Sequence, residues 1–170
     1  MLLYGLPPVF DEKAHVLILG SFPSPASLAA GQYYAHRQNQ FWRILAAVLD
    51  LPLNSMDYLA KLAAVKAAGI AIWDVYAACE RAGSLDAAIR NGQPNDFTLL
   101  QKSAPELRRV CFNGRTAGKF VPQLSAPGCE TIVLPSTSPA NATWSFERKL
   151  AAWRQVQVSR ALSLPCLASW

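Results

Sequence analysis

The chain has 170 residues, of which 52% are hydrophobic and 16% are charged, so it can bury the core of one domain. This composition excludes a disordered chain, and no apolar stretch reaches the roughly 20 residues that span a bilayer. The net charge of +5 suits a polyanionic partner, although many basic proteins bind no nucleic acid. We expect a single domain over residues 1–170, with 162–170 as a candidate tail. No signal-peptide pattern opens the chain, which predicts a cytoplasmic protein.

Four short apolar runs predict buried strands at residues 15–19, 70–73, 109–112 and 131–134. Each run is rich in β-branched or aromatic residues and is followed by Gly, Pro, Ser or Asn. Because the runs lack polar alternation, they are typical of a parallel sheet that is covered on both faces.

Between these runs, apolar residues recur at helical spacing near residues 41–48, 59–63 and 146–153. The alternation of strands and helices predicts an α/β fold with helices on both faces of the sheet. Such sheets bind ligands at the carboxyl ends of their strands, so the loops that follow the strands are where chemistry is expected.

The loops after the first and fourth strands combine prolines with hydroxyl groups. Stiff loops of this kind can hold a phosphate or a base edge, although the composition of the first loop by itself favours an ordinary strand-to-helix connection. After the second strand, Asp74 is either a functional carboxylate or a capping or Arg-paired residue. The third loop, at Asn113-Gly114, lacks the glycine spacing of a P-loop.

Residues 32–43 interleave aromatic side chains with cations, a combination that serves base stacking and phosphate contact. Asn39 lies where the helical pattern begins, so it is predicted as a helix N-cap, and an amide there can also act in a site. The chain has four cysteines without a C-x-x-C pair and two histidines, which predicts free thiols, no metal site and no cofactor.

Three segments together resemble the uracil-DNA glycosylase superfamily, and most closely its hypoxanthine-DNA (deoxyinosine) glycosylase branch, family 6. They are residues 20–24, residues 33–42 with an Asn-x-Phe-Trp pattern, and residues 134–141 with the run Pro-Ser-Thr-Ser-Pro. The resemblance covers residues 1–155. It implies a three-layer α/β/α sandwich with a central four-stranded, mainly parallel sheet. It also implies an enzyme that excises a deaminated base from double-stranded DNA, and we expect this enzyme to be monofunctional and monomeric.

Two departures from the family pattern favour hypoxanthine over uracil. Phe22 stands where many relatives carry the acid or amide that positions the attacking water, and Leu134 replaces a histidine that stabilises the departing base. The resemblance gives the water-positioning role to Asn39. An amide takes no proton at neutral pH, so Asn39 would orient water rather than act as a base.

The resemblance also implies a base pocket and a DNA-binding loop. In the pocket, Tyr34 would stack on the flipped base, Phe22 would form a wall, and His36 or backbone donors would stabilise the departing base. Residue 141, 142 or 143 would fill the vacated stack. The predicted pocket comprises Gly20, Ser21, Phe22, Pro23, Ser24, Tyr34, His36 and Asn113. The predicted DNA-binding loop comprises Ser136, Thr137, Ser138, Pro139, Ala140 and Asn141.

No lysine lies within these loops in the sequence, which argues against a Schiff-base lyase step. Three other interpretations stay open at this point. They are a uracil or thymine mismatch glycosylase, a DNA-damage-binding module without catalysis, and an unrelated small α/β hydrolase or nucleotide-binding protein.

Overall fold

A computed structural model of the protein describes residues 1–126 and 128–157, so the candidate tail lies outside the described residues. The strands of this part are β1 (Leu2–Tyr4), β2 (Val16–Gly20), β3 (Ile70–Asp74), β4 (Tyr76–Glu80), β5 (Arg90–Pro94), β6 (Arg109–Asn113) and β7 (Glu130–Leu134). The α-helices are α1 (Pro25–Ala30), α2 (Phe41–Leu49), α3 (Tyr58–Ala67), α4 (Thr98–Ser103), α5 (Arg115–Gly118), α6 (Val121–Leu124) and α7 (Phe146–Trp153).

The central sheet has four strands in the order β3-β2-β6-β7, and each neighbouring pair is parallel. The four strand predictions are confirmed to within one residue at each end. Every residue of β2 and β3 is buried, because helices cover both faces of the sheet.

Two apolar cores lie on opposite faces of the sheet, as the side-chain alternation of a strand requires. Val16 and Ile18 of β2 belong to the core that includes α2, α3 and α7. Leu17 and Leu19 belong to the other core, which includes α4 and α6. This arrangement confirms the three-layer α/β/α architecture.

A second sheet, antiparallel and in the order β1-β4-β5, was not predicted. Its strand β5 is exposed along its whole length and contains Gly and Pro, so it lacks the apolar pattern of a strand. Its middle strand β4 follows β3 directly, through Val75, so the small sheet lies next to the carboxyl edge of the central sheet.

Cys79 and Cys111 are buried free thiols as predicted, whereas Cys129 is disulfide-bonded, which corrects the prediction for that residue. In residues 1–126 and 128–157, three or more potential metal ligands nowhere come together. No helix of the described part has the length and apolarity needed to cross a membrane.

Candidate active site

Neighbouring strands of the central sheet bring four residues together at its carboxyl edge. Gly20 ends β2, and it lies in register with Asp74 at the end of β3. On the other side of β2, Asn113 ends β6 and lies in register with Leu134 of β7. This edge is the place where ligands bind in open α/β sheets.

Gly20 is required at this edge because two side chains occupy the space above it. A Cβ atom on Gly20 would lie 2.5 Å from Oδ1 of Asp74 and 2.9 Å from the hydroxyl oxygen of Tyr34. Any side chain larger than hydrogen would therefore displace the carboxyl group or the phenol.

Asn113 holds two segments together through its amide group. Its Nδ2 donates to the Tyr34 hydroxyl at 3.2 Å and to Oγ1 of Thr137 at 3.0 Å, and its Oδ1 accepts from the Thr137 N–H at 3.0 Å. Both amide protons are thus used within the protein, which leaves only one lone pair of Oδ1 for a ligand. We infer that Asn113 supports the pocket more than it reads a base.

The structure corrects the phosphate-contacting role predicted for Thr137. Its side chain is completely buried, and its hydroxyl and its backbone N–H both bond to Asn113. The flanking Ser136 and Ser138 are half-buried, and Pro139 and Ala140 are exposed. These four residues remain available to DNA, whereas Thr137 anchors the loop from below.

Tyr34 is half-buried and packs one ring face on Phe41, with ring centroids 3.8 Å apart and an angle of 18° between the planes. Its backbone has φ of 56°, a left-handed conformation that is uncommon outside glycine. Burial, followed by the nearby Asp74, raises the pKa of the phenol above its ordinary value. Tyr34 therefore stays protonated and presents at most its second face to a base.

Asn39 is predicted as the N-cap of α2, but it lies one residue before that position. The N-cap position of α2 is Gln40, but Oδ1 of Asn39 accepts a hydrogen bond from the Phe41 N–H at 2.9 Å, so the side chain still caps the helix. No atom of the described chain accepts from its Nδ2. The half-buried amide thus keeps two protons and one lone pair for a water molecule or a substrate.

Two contacts fasten the Asn39 segment to the site. The Gln40 N–H donates to the carbonyl of Thr137 at 3.0 Å, and Phe41 stacks on Tyr34. On the outer side, exposed His36 lines an open groove of about 720 Å³ together with Ala26, Ala35, Arg37 and Gln38. No described contact joins His36 to the strand-end residues.

In the first loop, most side chains are used to hold the loop itself. Ser21 Oγ donates to Oδ1 of Asp86 at 2.7 Å, and Ser24 Oγ accepts from the Ser27 N–H as the N-cap of α1. The carbonyl of Pro23 accepts from Arg81 at 2.7 Å, and Phe22 is buried under the same guanidinium. The backbone of this loop is therefore what a base edge can meet.

The fourth loop is tied by its own polar groups. Ser136 Oγ accepts from the Ser138 N–H at 3.1 Å, Ser138 Oγ accepts from the Ala140 N–H at 3.2 Å, and Asn141 Nδ2 donates to the Ser136 carbonyl at 3.1 Å. Residues 142 and 143 follow these hydrogen-bonded residues and are exposed. Because the Asn141 amide is engaged, residues 142 and 143 fit the predicted stack-filling role better.

Asp74 is 4% exposed, and its Oδ2 has no hydrogen-bond partner among the described residues. Burial, followed by the charge of Asp86, raises its pKa to about 7, and Arg81 counteracts part of this rise. The Arg81 guanidinium bonds instead to the carbonyls of Gly83 and Pro23. Neither a capping role nor an Arg-paired role therefore accounts for this carboxyl group.

The comparisons with known proteins agree with this geometry. The family model of the uracil DNA glycosylase superfamily matches residues 7–157. The chain belongs to that superfamily. It is 43% identical over 156 residues to a hypoxanthine DNA glycosylase of Methanosarcina acetivorans, which spans 92% of this chain and 98% of the relative. It is 40% identical to one of Methanosarcina barkeri, over 89% of this chain and 95% of the relative.

A solved structure shows the same fold in a second member of the superfamily. The solution NMR structure of a candidate uracil DNA glycosylase from Methanosarcina acetivorans matches with a TM-score of 0.81 at 42% identity. The match covers 92% of this chain and 99% of that one. The family and the fold that the sequence predicts are both confirmed.

One lysine contacts the Asn39 segment, although it lies outside the loops in the sequence. Lys149 of α7 is 2% exposed, and its Nζ donates to Oε1 of Gln40 at 2.9 Å, beside Asn39. Burial lowers the pKa of this ammonium group. Lysine is thus absent from the loops, and the amine that α7 brings to Gln40 is buried and already bonded.

Proposed function

We propose that this chain is a monofunctional DNA glycosylase that hydrolyses the N-glycosidic bond of hypoxanthine in double-stranded DNA and leaves an abasic site. The observation that carries the proposal is the Asn39 amide, which is anchored at the pocket through one lone pair and keeps its remaining capacity for a water molecule. The two Methanosarcina relatives, named hypoxanthine DNA glycosylases, support the choice of base.

The target nucleotide must leave the duplex before the enzyme can reach the glycosidic bond. The exposed tip of the fourth loop, at residues 139–143, is suited to enter the vacated stack, while Ser136 and Ser138 hold the adjacent phosphates. Arg148, whose guanidinium lies 4.2 Å from the Trp144 ring, places a cation beside this loop. Phosphate contacts of this kind bind DNA without regard to its sequence.

In the pocket, the flipped base lies against the backbone of residues 20–24 and the free face of Tyr34. The C1′–N9 bond breaks through an oxocarbenium-like state, as glycosides do. A weakly activated water suffices for such a cation, so Asn39 orients the water without taking its proton. Phe22 and Leu134 offer no acid or imidazole, which disfavours uracil and thymine as the main substrates.

We further propose that the enzyme acts as a monomeric, cytoplasmic, single-domain protein that needs no metal or cofactor. DNA is its macromolecular partner, and its excess of five positive charges favours association with phosphates.

Product analysis tests both the reaction and its monofunctional character. On an inosine-containing duplex, we expect one equivalent of free hypoxanthine and strands that break only after alkali. Borohydride should trap no enzyme–DNA adduct, because Lys149 is buried and held by Gln40. A trapped adduct that disappears in Lys149→Met would contradict the monofunctional assignment, and intact base in the duplex would contradict the reaction itself.

A further inference from the structure

Asp74 provides a carboxyl group that the hydrolytic steps above leave unused. Its Oδ1 lies over the bare Cα of Gly20, beside the Tyr34 hydroxyl, at the carboxyl edge of the sheet. Its Oδ2 is buried and has no partner among the described residues. A buried carboxylate without a partner is costly, so this group favours either a proton or a ligand.

The charged and titratable groups around Asp74 do not supply a partner. They are the phenols of Tyr33 and Tyr34, the guanidinium of Arg81 and the carboxylate of Asp86. Arg81 bonds to two carbonyls and Asp86 accepts from Ser21. The pKa of Asp74, raised to about 7 mainly by burial, means that much of the group is protonated near neutral pH and can donate.

Excision of a purine depends more strongly on protonation of the departing base than excision of uracil does. The electron pair of the C1′–N9 bond moves onto the departing purine, and a proton on N7 makes that base leave as a neutral molecule. The uracil anion spreads its charge over two carbonyl groups and depends less on protonation. General acid catalysis contributes about 10²- to 10⁴-fold in rate, and the Asn39 amide cannot provide it.

We propose that Asp74 is the general acid that transfers its proton to N7 of the flipped hypoxanthine as the C1′–N9 bond breaks. The inference rests on the proposed function. The bonding pair goes to N9, and the carboxyl group becomes a carboxylate. Water forms the new bond to C1′ and releases its extra proton to solvent. A solvent proton then restores Asp74, so the sum is hydrolysis alone.

The first test is Asp74→Asn, which keeps the shape and a hydrogen-bond donor but has no proton to transfer. In single-turnover assays at pH 6, we expect at least about a 100-fold loss of rate. The wild-type rate should fall as pH rises through about 7, because the acid is lost, and the variant should lack this limb. Asp50→Asn, at an exposed left-handed C-cap where Asn is favoured, is the matched control and should retain the wild-type profile.

The second test uses duplexes with 7-deaza-2′-deoxyinosine, which has no N7 to protonate, at saturating enzyme. The wild type should lose about the same factor as Asp74→Asn loses on inosine, and the variant should lose nothing more on the deaza substrate. Losses that multiply, or a wild-type rate that is equal on both bases and independent of pH, would overturn the assignment. The wild-type arms remain decisive even if the variant does not fold.

Folding of the variant has its own expected result. The raised pKa means that the native state holds a proton which the unfolded chain loses above about pH 4, so wild-type stability declines as pH rises from there to about 7. Asp74→Asn should therefore unfold at a higher temperature than wild type at pH 8, with little difference near pH 4.

A wild type that excises hypoxanthine but fails these tests contradicts the role of Asp74 alone. A wild type that releases no hypoxanthine at any pH contradicts the proposed function, and this inference with it.

Discussion

Asn39→Ala should excise hypoxanthine at least about 100-fold more slowly than wild type in single-turnover assays. The reason is that removing one positioned polar group from the centre of a reaction costs about 10²- to 10³-fold. The same substitution removes the acceptor of the Phe41 N–H, so it should also lower the free energy of unfolding by about 1 kcal/mol.

Two further variants separate these effects of Asn39. Asn39→Ser retains a hydroxyl that can cap α2, so it should fold like wild type and still be slow. Gln38→Ala changes an exposed side chain in the same segment and should stay within about twofold of the wild-type rate. If Asn39→Ser excises at the wild-type rate, Asn39 is a helix cap and not a water-positioning residue.

Asn113→Ala should lower the free energy of unfolding by about 2–4 kcal/mol, measured by urea denaturation. It leaves the Thr137 N–H, the Thr137 hydroxyl and the Tyr34 hydroxyl without their partner, and each buried polar group left unpaired costs about 1–3 kcal/mol. Excision should slow as well, because the fourth loop and Tyr34 both lose their common anchor.

Thr137→Val is the matched control for Asn113. It removes a single hydroxyl from the same network and keeps the N–H bond to Oδ1, so about 1 kcal/mol should be lost. Equal stability losses in the two variants would show that Asn113 does not organise the network. A large loss of DNA binding in a stable Thr137→Val would restore the direct phosphate role that its burial argues against.

The central sheet could be predicted because its strands are buried on both faces. A strand of this kind appears in the sequence as a continuous apolar run, and β2, β3, β6 and β7 all do. Strand β5 gives no such signal, because it is held by backbone pairing with β4 while its side chains face solvent. The apolar pattern of the sequence therefore could not predict the second sheet.

The contacts of Thr137 and Lys149 could not be predicted, because their partners lie far away along the chain. The proline-rich sequence around Thr137 predicts a surface hydroxyl. The residue is buried instead and bonds to Asn113, which precedes it by 24 positions. Lys149 lies 109 positions from Gln40, on a helix whose apolar pattern gives no hint of a buried ammonium. Only the three-dimensional packing of α7 against α2 brings this pair together.

For Asp74, the sequence could place the residue at a strand end but could not choose among its roles. The choice depends on a neighbouring glycine, a guanidinium that is already engaged, and a carboxyl oxygen without a partner. Each of these is a property of the assembled edge and not of the segment that contains Asp74.

The most direct test of the account compares the wild type on two duplexes that differ only in hypoxanthine or uracil opposite the same base. Single-turnover rates, read from alkaline cleavage of abasic sites, should be at least about 100-fold higher for hypoxanthine, because the pocket lacks the acid and the imidazole replaced by Phe22 and Leu134. Equal or faster excision of uracil, or no abasic sites in either duplex, would contradict the assignment of this superfamily member as a hypoxanthine glycosylase.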